Sequence, residues 1–305
     1  MLFNCLECGV NFETEKSLHS HLKVHKLYLA DYYCKHFPRK CLFDGLPLQF
    51  RDKETYFRSL FANRKNMESW LLKTKKDDKK PVLLEMLSWR IKEKKLQFAP
   101  PEVELFTCDL PSIKEYKDAF GSYSFAANQF GVSPMFSQKP PKDWDKIDFS
   151  KKKILIDTRE QKPLKFINSV SHKLDVGDYG ISGDSFDYTF VDRKSFPDFC
   201  GTLVLENYQR FRKELIRCKE QNCYLWVVIE AELSNIHSIN NYAPHKANLK
   251  FIFHQMNALQ HEFAGNLQFV FSGGRKESQD LIPRLLCLGK QLWNVDMQYY
   301  LGGAQ

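Results

Sequence analysis

Apolar and polar positions along the chain predict two differently organised parts. In the C-terminal part, Tyr224-Leu225-Trp226-Val227-Val228-Ile229-Glu230 is a nearly continuous apolar run, the pattern of a central strand covered on both faces. Leu267–Phe271 reads as a further strand, Leu249–Phe263 and Ser278–Trp293 as helices, and Ser195–Lys219 as a helical region. Lys153–Asp157 reads as a buried strand ending in a carboxylate, and Asp187–Lys194 as another strand. Strands and helices alternate, which predicts a layered α/β domain. Upstream, Tyr56–Leu72 looks helical in two pieces, Val82–Ile91 resumes a helical period after Pro81, and Ile113–Phe130 predicts two short helices with Gly121 at the joint. Thr74–Pro81 reads as a charged linker, and the Pro- and Lys-rich stretch Ser137–Lys153 as the clearest domain boundary. The expected division is therefore a small N-terminal module at 1–27, a mixed, mainly helical middle region at 28–136, a linker at 137–153 and the α/β domain at 154–305.

Composition changes this picture little. A chain of 305 residues has room for about two domains, and 43% hydrophobic with 27% charged residues is ordinary for a globular protein. The formal charge of +8 suits a polyanionic partner. Nine cysteines, an odd number without a signal peptide, predict a reducing compartment with some thiolates on metal. No apolar run approaches the ~20 residues that cross a bilayer, and Met1 leads directly into a motif with no room for a targeting segment. These features predict a soluble intracellular protein, cytoplasmic if the source is prokaryotic or viral, with no membrane partner.

That motif is Cys5-x2-Cys8-x12-His21-x3-His25, with Phe12 and Leu18 where a ββα zinc finger places its core. Tetrahedral Zn2+ accounts for the spacing, since a Cys pair sits on the hairpin turn and two His four apart share one helix face. The base-reading positions would be Thr14, Ser17 and Ser20. These lack the Arg, Asn or Gln that make bidentate base contacts, and one finger spans only about 3 bp. The finger is expected to contact backbone phosphate through Lys16, Lys23 and Lys26, or to dock a protein. Cys34, His36 and Cys41, with Asp44, could hold a second zinc or be part of a small core.

The densest acidic pattern lies within Ile154–Asp198. Asp157 ends a strand, Glu160 follows the turn, Gly177-Asp178 delivers another carboxylate, and Asp192-Arg193-Lys194 closes the set. Side chains alternate along a strand, so Asp192 and Lys194 share a face and Arg193 points away. Hydrolysis of a phosphodiester needs oxygen ligands for a hard cation and a positive group near the developing charge. Asp178 and Asp192 supply the first and Lys194 the second, a pattern similar to the PD-(D/E)xK nucleases.

The ordered set Asp157-Thr158-Arg159-Glu160, Gly177-Asp178 and Asp192-Arg193-Lys194 with Asp198 four residues on resembles the XPF family of structure-specific endonucleases over about half the chain. The resemblance implies a three-layer restriction-endonuclease-like fold and Mg2+ or Mn2+ held by Asp157, Asp178, Asp192 and Asp198, with Glu160 beside them. Lys194 would orient or activate the attacking water, and Arg193 would support the site or contact DNA. It further implies branched or flapped duplex DNA as substrate, in repair, recombination or replication, and a homodimer through the nuclease domain. The family's Glu is Asp192 here, shorter by one C–C bond of ~1.5 Å. The tandem helix-hairpin-helix that usually follows has no counterpart, so the finger and middle region would help supply structure selectivity. Two other readings are a non-catalytic DNA-binding scaffold on a retained nuclease fold, disfavoured by the retained acids and lysine, and a zinc-finger regulator, disfavoured by the short reading positions.

Overall fold

The structure, a computed structural model, describes residues 2–183 and 186–303. It divides into two compact units, Met1–Trp89 and Arg90–Gln305.

The first unit opens with β1 (Phe3–Asn4) and β2 (Asn11–Phe12), an antiparallel hairpin with Phe3 opposite Phe12. Helix α1 (Glu15–His21) is capped by Thr14, whose hydroxyl accepts the Ser17 N–H at 3.1 Å, and a 3-10 turn, Leu22–His25, extends it. Leu18 and Leu22 are buried, but so short a hairpin and helix bury little by themselves. The helix α2 (Leu29–His36) closes over them. Tyr32 Oη accepts the Leu6 N–H at 3.1 Å, and Tyr33 Oη donates to Glu15 at 2.9 Å. Tyr33 also meets the rings of Phe37, Phe50 and Phe57, which ties the finger to α3 (Lys53–Arg58). Helix α4 (Arg64–Lys73) follows.

The expected linker at Thr74–Pro81 is instead largely the opening of α5 (Lys76–Lys94). Asp77 and Asp78 lie in its first turn, where the positive end of the helix dipole favours them, and Lys80 pairs with Asp77 at 2.7 Å. These local charge terms hold the turn despite Pro81.

The second unit carries β3 (Phe98–Ala99), α6 (Glu102–Thr107), α7 (Ile113–Phe120), α8 (Tyr123–Asn128) and β4 (Ser133–Pro134), which pairs in parallel with β3. Then come β5 (Ile154–Ile156), β6 (Ser169–Ser171), β7 (Tyr179–Ile181), β8 (Thr189–Ser195), α9 (Phe196–Thr202), α10 (Leu205–Glu220) and β9 (Tyr224–Glu230). The last elements are α11 (Ile236–Tyr242), α12 (Leu249–Glu262), β10 (Leu267–Phe271), α13 (Arg275–Leu288) and α14 (Met297–Gly303).

Six strands form a mixed sheet in the order β10-β9-β8-β7-β5-β6. The β10, β9 and β8 strands are parallel, β7 is antiparallel to both β8 and β5, and β6 is parallel to β5. Alternation along β9 divides the core. Leu225, Val227 and Ile229 pack with residues of α9, α10 and α12, while Tyr224, Trp226 and Val228 pack with residues of α13. The sheet thus lies between two helical layers, with about 1.5–3 kcal/mol from each fully buried large apolar side chain. Helix α13 stops at Leu288, earlier than the Trp293 its periodicity predicts, and a 3-10 turn follows. Gly289 turns there at φ +45, where a Cβ would collide with Asp187.

The segment 137–153 contains no helix or strand, yet Trp144 is buried in the core on the α13 side and Arg284 donates to its carbonyl at 2.5 Å. Glu104 of α6 is wholly buried and held by Arg90 and by His261 of α12, both at 2.7 Å. Burial alone would raise its pKa, but His261 and Arg90 bring it below the ordinary carboxylate value, so it pins α6 to α12 as an ion. Among the described residues no helix is long and apolar enough to cross a membrane.

Candidate functional site

The acidic centre forms where β7 and β8 part. These strands pair at Tyr179 and Val191. One residue earlier, the Asp178 N–H donates to the Val191 carbonyl at 2.8 Å, and Asp178 Oδ2 accepts the Arg193 N–H at 2.8 Å. The carboxylate thus satisfies a ladder donor that a longer β7 would have taken. Gly177 makes the approach possible: its φ is +67, and a Cβ would lie 2.8 Å from the Val191 oxygen.

Period-two alternation in β8 then separates the functional side chains. Phe190 packs in the same core cluster as Phe211 of α10, and Val191 in the other. Asp192 and Lys194 accordingly face α10. Lys194 Nζ stands 2.8 Å from Asp192 Oδ2 and 5.7 Å from the Phe211 ring centroid. Arg193 faces the opposite layer, where it binds Glu230 at 2.8 Å, Glu160 at 3.3 Å and the Lys162 carbonyl at 3.0 Å. Arg275 donates to the Lys162 and Pro163 carbonyls, each at 2.9 Å. Two guanidinium groups therefore clamp the loop after Asp157, and Glu160 answers Arg193.

The remaining expected residues have local work. Asp157 is buried, with Oδ1 accepting the Arg159 N–H at 2.8 Å and Nε at 2.6 Å, and Oδ2 accepting the Leu174 N–H at 2.7 Å. Asp198 lies in the first turn of α9, where its Oδ2 accepts the Ser195 hydroxyl at 2.6 Å. That hydroxyl in turn receives the Asp198 N–H at 3.3 Å, which caps the N-terminus of the helix.

Two carboxylates were not anticipated. Glu214 of α10 accepts the Gly177 N–H at 3.3 Å; nothing distinguishes it in sequence from the other charges of its helix. Glu230, the partner of Arg193, ends the apolar run of β9, in register with Ser195. A carboxylate at a strand end was the signal that singled out Asp157, and it would have found Glu230 too.

Electrostatics follow from this crowding. Burial, then the charge of Asp192, pushes Asp178 up to about 8. Burial and Asp192 also raise Glu214. For Lys194, burial opposes the ammonium, but the adjoining Asp192 outweighs it and the pKa ends above the ordinary lysine value. Lys194 is thus a held cation. Asp157, though desolvated, is drawn below its usual value by Arg159 and the backbone N–H groups.

A hard divalent cation suits the centre. Among the described residues Asp178 Oδ1 and Asp192 Oδ1 make no hydrogen bond, the donors are carboxylate oxygens, and burial together with the neighbouring Asp192 charge disfavours the Asp178 carboxylate, a penalty that a cation relieves.

The first unit holds a different donor set. Sulfur and nitrogen ligand atoms of Cys5, Cys8, His21 and His25 lie within 4.8 Å of one another. Individual separations are 3.6 Å for Cys5–His25, 3.2 Å for Cys8–His21 and 3.1 Å between the two His Nε2 atoms. Zinc bonds of about 2.0–2.3 Å in a tetrahedron require ligand edges of about 3.3–3.8 Å, so the set is compatible with Zn2+. Among the described residues it is the one group of at least three potential ligands gathered this way. Cys34, His36, Cys41 and Asp44 are not gathered as one ligand set. His36 binds Glu7 at 2.6 Å, while Cys41 and Asp44 both accept from the Asn66 amide, at 3.5 and 2.8 Å.

Comparison with known proteins finds a domain match within the second unit. Residues 156–285, under half of the chain, match the ERCC4 domain, and Asp157, Asp178, Asp192, Lys194, Glu214 and Glu230 fall inside the match. No curated protein matches. Among solved structures, XPF from Aeropyrum pernix in complex with DNA matches at 19% identity and a TM-score of 0.36, over 46% of this chain and 66% of that one, just under two thirds of its length.

Proposed function

We propose that this chain is a divalent-metal-dependent DNA endonuclease whose catalytic domain spans 154–305, joined to a finger at 1–27 through a middle region at 28–136 and the segment 137–153. The observation that carries this reading is the convergence of Asp178, in the loop just before β7, with Asp192 and Lys194 of β8. The ERCC4 match over the same residues supports it.

Asp178 and Asp192 would hold Mg2+ or Mn2+, which when bound lowers the pKa of a water and offsets charge on phosphate. Lys194 keeps its proton through its bond with Asp192 and presents a fixed positive charge to the phosphodiester as charge develops. Its role here is to orient and neutralise, rather than to take the water's proton. Arg193 is a strut: its guanidinium is spent on Glu160, Glu230 and the Lys162 carbonyl. Zn2+ on Cys5, Cys8, His21 and His25 would be structural. Branched or flapped duplexes and a homodimer through the catalytic domain are further parts of the proposal, drawn from the XPF resemblance.

The test is a panel of labelled single strands, duplexes, forks, 3'-flaps and four-way junctions, with Mg2+, Mn2+ or chelator. Cutting of branched DNA only with metal, lost in folded Asp178→Asn and Lys194→Ala, supports the proposal. DNA bound but uncut under every condition overturns it in favour of the scaffold reading.

A further inference from the structure

We infer that Glu214 is the third carboxylate of the cation site, in the place that the order of motifs along the chain assigns to Asp157. This rests on the metal-dependent reading above and adds to it a residue from a different element, the helix α10.

Three contacts locate Glu214. Its Oε1 receives the N–H of Gly177, the residue before Asp178, at 3.3 Å. Phe211, one turn earlier on α10, lies with its ring centroid 5.7 Å from the Lys194 ammonium. Residues three apart share a helix face, so Glu214 projects on the side of α10 that looks onto Lys194. Lys194 in turn is 2.8 Å from Asp192. Glu214 is thus bracketed by the Gly177 N–H on one side and the Asp192–Lys194 pair on the other.

The carboxylates differ in what they have left to offer. Both oxygens of Asp157 are engaged, by Arg159 and by the Leu174 N–H. That ties the loop 157–174 together and leaves Asp157 poorly placed to face a cation. Glu214 has one long hydrogen bond, and its Oε2 has no hydrogen-bond or ion-pair partner among the described residues. A partly buried carboxylate with so little compensation is costly unless a positive charge joins it. Asp178 Oδ1, Asp192 Oδ1 and Glu214 Oε2 are then three uncommitted oxygens from a loop, a strand and a helix, the hard donors a divalent cation selects. Glu is also the longer side chain by one ~1.5 Å bond, which offsets the short reach of Asp192 from β8.

The experiment is calorimetric titration of Mn2+ into the zinc-loaded full chain, with no DNA present, for the unmodified protein and for Glu214→Gln, Glu214→Asp, Asp178→Asn and Asp157→Asn. Circular dichroism and melting temperature verify each fold. Loss of a ligand should cost at least the 10–100-fold typical of disturbed metal sites, so Glu214→Gln is expected to weaken Mn2+ binding by about that factor or more. Glu214→Asp should recover part of the loss, and Asp157→Asn should melt lower while binding Mn2+ as the unmodified protein does. If Glu214→Gln binds Mn2+ normally while Asp178→Asn does not, Glu214 is no ligand and the metal-dependent reading survives without it. If a folded Asp157→Asn loses Mn2+ and Glu214→Gln keeps it, the assignment is reversed. If the unmodified protein takes up no Mn2+, the metal-dependent reading itself falls, and this inference with it.

Discussion

The finger and the acidic centre are both candidate metal sites, built in opposite ways. In the finger, four ligands come from a stretch of 21 residues, and short-range structure alone draws their donor atoms to within 4.8 Å. Imidazoles and thiols can crowd before metal arrives because they need carry no charge. In the second unit the candidate ligands are carboxylates, and burial, then the charge of Asp192, pushes the Asp178 carboxyl up to about 8. A lysine, two arginines and backbone N–H groups intervene to keep them in place. On the proposed reading, metal would complete the fold of the finger, whereas the fold of the acidic centre would prepare a place for metal.

Removing metal should break this comparison most visibly. Structural zinc in small fingers is worth about 10–16 kcal/mol, so chelation or Cys5→Ser is expected to unfold the finger. The change should reach Tyr32 and Tyr33, which bond to Leu6 and Glu15, and tyrosine fluorescence with near-UV circular dichroism would report it. EDTA at levels that strip Mg2+ should leave the fold of the second unit intact; a cooperative loss of its helical signal would contradict the distinction.

Next in size is the chemistry. Lys194→Ala should lower cleavage by about 10²–10³-fold, the scale of a lost preorganised charge, measured as single-turnover rates at saturating Mg2+ with the melting temperature recorded alongside. Weaker DNA binding with an unchanged rate would assign Lys194 to substrate affinity instead.

A smaller effect tests the Arg193 strut. Breaking a buried pair by removing one partner costs about 3–5 kcal/mol, and Glu160 remains to share Arg193 after Glu230→Gln, so a loss nearer the lower figure is expected in urea denaturation. An unchanged midpoint would show that Arg193 does not depend on Glu230. The smallest change concerns the cap of α9: Ser195→Ala removes the hydroxyl that bonds Asp198 and should cost ~1 kcal/mol, with cleavage in Mn2+ retained. Loss of Mn2+ binding in that variant would return Asp198 to the metal site.

Much of this was legible in sequence. The Cys and His spacing, the apolar run of β9, the strand Leu267–Phe271 and the opposite facing of Arg193 and Lys194 all follow from local periods, which need no knowledge of the rest of the chain. The misread stretch, Thr74–Pro81, failed for a local reason too: charges and a proline were weighed as a breaker, although Asp77 and Asp78 favour a helix start.

By itself, then, the sequence determined which residues alternate to which face, where the finger's donors fall on hairpin and helix and which carboxylates end strands. Only the tertiary structure decided how each carboxylate is used. Asp157 is consumed by Arg159 and Leu174 and Glu230 by Arg193, while Glu214 arrives from a helix to meet Gly177. The physical reason is that a strand's period is set by its own backbone, whereas the partners of a charge are set by whatever distant segments packing brings within hydrogen-bond reach.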